Sequence, residues 1–162
     1  MPVVPLTYGG FSGSIILREY LIVSGIALAT PAFYGIDLAE LLRPADQRGG
    51  DRVIPHGGVV SKPRRRTVSK RSLPMVIFGD RDQNGGVIVD YRAGLDNHIA
   101  YLNANIVAPI STGDGTRSAT LVLANGNRSA QVHVEGLDIG SGGKGGHVKA
   151  TLQLSIPGGE FF

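Results

Sequence analysis

Val148, Ala150, Leu152, Leu154 and Ile156 alternate with Lys149, Thr151, Gln153 and Ser155. A period of two puts the apolar side chains on one face of an extended strand and the polar ones on the other. Such a strand needs a core under one face, so the chain must build an antiparallel sheet with one side buried. The 24 glycines among 162 residues agree, since they suit turns and bulges better than long helices. A chain of this length is expected to form one domain, 1–162, with a substantial core.

The remaining elements follow from local pattern. Residues 1–13, with two prolines and three glycines, read as an extended arm with little structure of its own. Ser14 to Ile26 reads as strand, with Ser24-Gly25 as a turn or bulge. Leu38, Leu41 and Leu42 have helical spacing within "PAFYGIDLAELL", and Pro44 ends that helical turn. From Arg52 to Phe78 the chain reads as a long hairpin: a strand, a Gly57-Gly58 turn and a second strand that is polar until Leu73. The helix is placed at 90–107: Asp90 caps it, and Tyr91, Leu95, Ile99, Leu102 and Ile106 recur at spacings of four, four, three and four. Gly94 interrupts that helix, and Pro109 closes it. Strands fill 119–156, with Asn125-Gly126-Asn127 as a hairpin turn. Between hairpin and last strand, "GSGGKGG" (140–146) has almost no side chains to pack. Like the arm 1–13, it is expected to order only on assembly. The fold class is therefore mainly β (α+β): an antiparallel β-sandwich or barrel-like fold with one flanking helix and a protruding hairpin.

Several chemistries are excluded. Without cysteine there is neither a disulfide framework nor a thiolate metal site. His56, His98, His133 and His147 are scattered and fit solvated or half-buried positions better than metal ligation. Gly140–Gly146 lacks the Ser or Thr after Lys144 that a phosphate loop requires, and a strand follows it rather than a helix. Asp80-x-Asp82-x-Asn84-Gly85 copies the first half of a calcium loop. Tyr91 stands where the bidentate Glu belongs, so the segment reads as an Asx-type turn. There is no G-x-S-x-G elbow. No enzyme activity, cofactor or metal is expected. Arg18 and Glu19 interrupt the apolar N-terminal stretch, and no window reaches the roughly 18–20 apolar residues of a membrane span. The chain is expected to be soluble, not exported by itself, with no membrane partner.

The feature that singles this chain out is its basic run. Lys62, Arg64, Arg65, Arg66, Lys70 and Arg71 fall within ten residues that contain no acid. The whole chain carries +3, so the remainder sums to −3. Three readings stand side by side. Clustered cations can bind phosphate, yet 54–77 contains no aromatic residue to stack a base. They can also guard an exposed sheet edge against aggregation. Finally, they can meet acids such as Glu40, Asp46, Asp51 or Glu160 on a neighbouring copy.

The order of parts carries a resemblance. "LIVSGIAL" leads to "TPAFYGIDLAELL"; the hairpin "RGGDRVIPHGGVVSKPRRRTVSKRSLPMVIFGD" precedes the helix "DYRAGLDNHIAYLNANIVAP"; and "RSATLVLANGNRSAQVHVEGLDIG" and "VKATLQLSIPGGEFF" complete the chain. Over nearly its whole length this resembles small, minor tail proteins of long-tailed phages of actinobacteria. It is also similar to the belt domain of distal tail proteins, which shares the tail-tube fold. The resemblance implies a virion structural protein, made in the host bacterial cytoplasm, forming a homo-oligomeric, hexameric ring that joins tail tube to tip. The alternatives are the tube protein itself and, outside this class, a phosphate- or nucleic-acid-binding module. The implied partners are further copies and other tail proteins (tube, tape measure, tip), with genomic DNA passing transiently through the lumen. At 162 residues there is no room for the second, galectin-like domain that many distal tail proteins carry. On this reading Arg52, Lys62, Arg64, Arg65, Arg66, Lys70 and Arg71 make the contacts between subunits.

Overall fold

In the computed structural model, residues 18–45, 57, 68–108, 116–140 and 146–162 are described in full. Residues 3–8, 11–16, 47–48, 51–54, 58–61, 65–66 and 141–142 are described by their strand pairing alone. The chain begins with β1 (Val3–Tyr8) and β2 (Phe11–Ile16), which pair antiparallel as a hairpin. The segment read as an arm, 1–13, thus contains one whole strand and the start of a second, paired from Val3↔Ile16 to Tyr8↔Phe11.

The main sheet uses β3 (Tyr20–Val23), β4 (Ile26–Ala27), β5 (Phe33–Gly35), β10 (Ser69–Phe78), β11 (Arg117–Leu123), β12 (Gly126–Gly142) and β13 (His147–Ile156). Its seven strands run antiparallel in the order β4-β3-β11-β12-β13-β10-β5. Ser24 and Gly25 both take positive φ, 52° and 79°, and turn β3 tightly into β4. The seventeen-residue β12 pairs with β11 over its first part and with β13 over its second. Register shifts at Val134/Gly136 and Ile139/Gly142 let it bend between those neighbours. The two sheet edges meet at Leu28, whose N–H donates to the Leu21 carbonyl (2.8 Å) and whose carbonyl accepts from Gly35 N–H (3.2 Å). The sheet thus curls into a half barrel.

The alternating apolar residues of β13 fill that half barrel. Val148, Ala150, Leu152, Leu154 and Ile156 are all buried, beside Leu73, Met75 and Ile77 of β10 and Leu121 of β11. The segment 31–42 is part strand and part helix: Phe33–Gly35 joins the sheet as β5, and only α1 (Ala39–Leu42) is helical. Helix α2 (Tyr91–Leu102) continues into a π-helical turn, Asn103–Val107, and the Asp90 carboxylate caps it by accepting from Ala93 N–H (3.2 Å). Its inward line is Gly94, His98, Leu102 and Ile106, one residue earlier than the predicted stripe at Leu95 and Ile99, which lie partly buried beside it. Tyr91, expected on the apolar face, is exposed. Gly94 causes the shift, because the helix backbone approaches the Gly79 carbonyl where a Cβ would overlap it. His98, expected to be solvated or half-buried, is buried, with Nε2–H donating to the Arg81 carbonyl (2.6 Å) and its ring set edge-on against Phe33.

Candidate intersubunit surface

The hairpin starts earlier and is more subdivided than the sequence implied. β6 (Gln47–Arg48) pairs with β9 (Arg65–Arg66), and beyond them β7 (Asp51–Ile54) pairs with β8 (Gly58–Ser61). Gly57, at φ 91°, sits in the turn. Two residues separate β6 from β7 and three separate β8 from β9, so the ladder shifts register once. Among the described residues, the strands of this ribbon pair with none of the seven main strands. It is also strongly charged: Arg48, Arg52, Lys62, Arg64, Arg65 and Arg66 face a single acid, Asp51, over 47–66.

The long second strand of the hairpin is in fact divided. β10 begins at Ser69 and lies wholly within the main sheet, paired with β13 from Ser69↔Ile156 to Phe78↔His147. Its first half is not polar on both faces, because Ser69, Arg71 and Leu73 all point inward. Arg71, expected to be an exposed interface cation, is 2% exposed. Its guanidinium donates to the carbonyls of Glu40 (3.0 Å), Pro44 (3.0 Å) and Gly159 (3.0 Å). A planar fork with several donors can satisfy carbonyls converging from three segments, which makes burial of this charge tolerable. Arg71 therefore leaves the set of interface candidates and ties the hairpin root to α1 and the C-terminal segment. Lys70 stays exposed, and its carbonyl accepts from Arg43 (3.3 Å). Arg52, Arg65 and Arg66 are placed on ribbon strands, whereas Lys62 and Arg64 lie outside the described residues.

Two of the acids expected to answer these cations across a subunit boundary have partners within the chain. Glu40 lies 3.8 Å from Arg43, and the Glu160 carboxylate accepts from Ala45 N–H (3.3 Å). Asp46 is outside the described residues, and Asp51 is described by its pairing alone.

The turn 79–86 closes on itself. Asp82 Oδ1 accepts from Asn84 N–H (2.8 Å) and Gly86 N–H (2.7 Å), as an Asx-type turn requires. No cluster of three potential metal ligands occurs among the described residues. No helix among them is long and apolar enough to cross a membrane, which leaves strand-built spans unaddressed. The glycine segment 140–146 is partly strand: β12 runs to Gly142, and 143–145 lie outside the described residues. His133 is half-buried, and the His147 ring lies tilted against Phe78 (centroids 5.8 Å apart). His56 falls outside the described residues.

Sequence reasoning missed the exposed apolar side chains at the two ends of the barrel. At one end Leu42 and Phe162 are exposed, beside an open groove of about 480 Å³ lined by Glu19, Leu42, Leu123, Ala124, Asn125 and Arg128. At the other, Val87 and Val89 are exposed in the loop before α2 and Tyr91 at its first residue. The run Val87-Ile88-Val89 is apolar throughout, so no sign of which of its side chains face outward was present in the sequence.

No family model and no curated protein sequence matches the chain. Solved structures do. The chain is similar to the Dit protein of phage SPP1, described as a paradigm of the hub adsorption apparatus in phages infecting Gram-positive bacteria. The TM-score is 0.54 at 18% identity, over 87% of this chain and 50% of that one. It is also similar to a chain of the phage P2 baseplate in its activated conformation with Ca, with TM-score 0.61 at 11% identity, over 87% of this chain and 44% of that one. The chain thus spans about half the length of the solved structures it matches. At these identities the likeness is one of fold: the curled antiparallel sheet with its helix is shared with phage hub and baseplate proteins.

Proposed function

We propose that this chain is a structural, non-enzymatic component of a phage tail. In this reading 1–162 acts as one unit that assembles with further copies into a ring joining tail tube to tip. The hosts fitting the sequence order are actinobacteria. Its place is the virion, its synthesis is in the host cytoplasm, and its neighbours are other tail proteins, with DNA passing through the lumen. The observation that carries this is the fold likeness to phage hub and baseplate proteins over 87% of the chain. The ribbon 47–66 adds to it, since six cations on a hairpin outside the main sheet leave a charged arm for a neighbour to meet.

The test is charge reversal of Arg64, Arg65 and Arg66 to Glu together. In this reading the three cations serve the contact between copies and not the monomer, whose unfolding midpoint should be kept, as surface charges contribute little to stability. Ring formation should be lost. Normal rings from the triple variant would leave these cations as guards of an exposed edge. Salt-dependent binding to duplex DNA by the wild type, absent from the variant, would instead favour a nucleic-acid-binding module.

A further inference from the structure

We infer that Arg71, fastened with Glu160 at the end of the barrel, sets the direction in which the basic ribbon leaves it. A residue with no surface of its own thereby governs how copies meet. That last step rests on the reading of the ribbon as the contact between copies; the fastening itself does not.

Arg71 is the odd member of its own strand face. The inward line of β10 continues as Leu73, Met75 and Ile77, all buried, and an apolar residue at 71 would simply extend it. A buried guanidinium costs desolvation that only polar partners offset. Those partners are on hand because α1 is a single turn, which cannot satisfy its own last carbonyls. Arg71 donates to the Glu40 carbonyl within that turn and to the Pro44 carbonyl just after it, each at 3.0 Å. Its third carbonyl, Gly159 at 3.0 Å, comes from the segment after β13.

These contacts fall on both limbs of the ribbon. The first limb leaves the barrel through Arg43, Pro44 and Ala45, and Asp46 alone separates Ala45 from β6. Arg43 is extended (ψ 135°), and its guanidinium donates to the Lys70 carbonyl (3.3 Å) on the other limb. Pro44 fixes its own φ, its carbonyl accepts from Arg71, and Ala45 N–H donates to the Glu160 carboxylate (3.3 Å). The second limb returns through 67–68 into Ser69, which is buried and paired with Ile156. Each limb is thus fastened close to the ribbon and to the same C-terminal segment, Gly159 and Glu160. Among the described residues no ladder joins the ribbon's strands to the main sheet, so its direction is left to this base. An arm clamped on two limbs keeps one direction, whereas an arm released on one limb can swing about the other.

The chain contains no cysteine, so spin labels go only where cysteines are placed. Full chains with Ser61→Cys on β8 and Ser118→Cys on β11 report the ribbon against the barrel. Ser118→Cys with Lys149→Cys, both at exposed barrel positions, reports the barrel alone. Diluted among unlabelled copies, the ribbon pair should give one narrow distance distribution with Arg71 in place. In Arg71→Met it should widen at least twofold while the barrel pair keeps its distribution, a split that lost core packing alone would not produce. A ribbon pair equally narrow in Arg71→Met, or already broad with Arg71 in place, would overturn the inference. Should the barrel pair show that Arg71→Met does not fold, Glu160→Ala frees the first limb at Ala45 from a half-buried position, and an unwidened ribbon pair there overturns it equally. Ring formation separates the two readings, because Arg71→Met keeps every cation of 47–66 and its rings should still be lost. Rings from a chain whose ribbon pair has widened would overturn the ribbon's place in the contact between copies while leaving the fastening intact.

Discussion

Gly94 of α2 lies against the carbonyl of Gly79 with no side chain between them, and a Cβ on either glycine would overlap backbone oxygen. The helix sits on the end of β10 only because both residues lack a side chain. In a free helix Gly→Ala gains about 1 kcal/mol. Here Gly94→Ala is expected to lose about 1–3 kcal/mol, the ordinary range for overpacking. Urea unfolding decides the sign, and a gain in stability would mean the helix stands further from the sheet.

Arg71 offers a second test, because its neighbour Lys70 carries the same charge with opposite burial. Arg71→Lys should cost roughly 1–3 kcal/mol, since an ammonium cannot reach carbonyls from three directions and leaves some buried and unpaired. Lys70→Glu should stay within about 0.5 kcal/mol in the same denaturant series. Equal effects would remove Arg71 from its place at the hairpin root.

Leu154 is buried on the alternating strand, opposite Arg71 in β10 and Val134 in β12. Leu154→Ala should cost roughly 2–5 kcal/mol in equilibrium unfolding. A loss under about 0.5 kcal/mol, the level of a surface change, would place the strand in the inverted register.

What could be read from the sequence was whatever local periodicity or turn chemistry decides. The alternation of Val148–Ile156, the Asp90 cap, the Ser24-Gly25 turn and the Asx turn at Asp82 each follow from a few adjacent residues, and each is where it was expected. Arg71 could not be read that way. Locally it is one cation in a run of six, yet it is buried by carbonyls 27 to 88 residues distant. His98 and Gly94 escaped for the same reason, since their surroundings come from the loop at 79–81. The β1–β2 pairing was not legible, because proline and glycine counts say nothing about whether flanking segments match each other as strands.

The surface itself was legible only in part. The basic ribbon stands out in the sequence, because six cations around one acid need no fold to be seen. The apolar strip at Val87 and Val89 needed the fold, because only the inward turn of Ile88 shows that its neighbours face outward.

Negative-stain imaging of the purified full chain tests the central claim most directly. Self-assembly as a tail component should appear as closed rings of uniform diameter, with stacked rings marking the tube role and single rings the joining role. Particles of one-copy mass, 17.0 kDa, at every concentration and salt condition would contradict it.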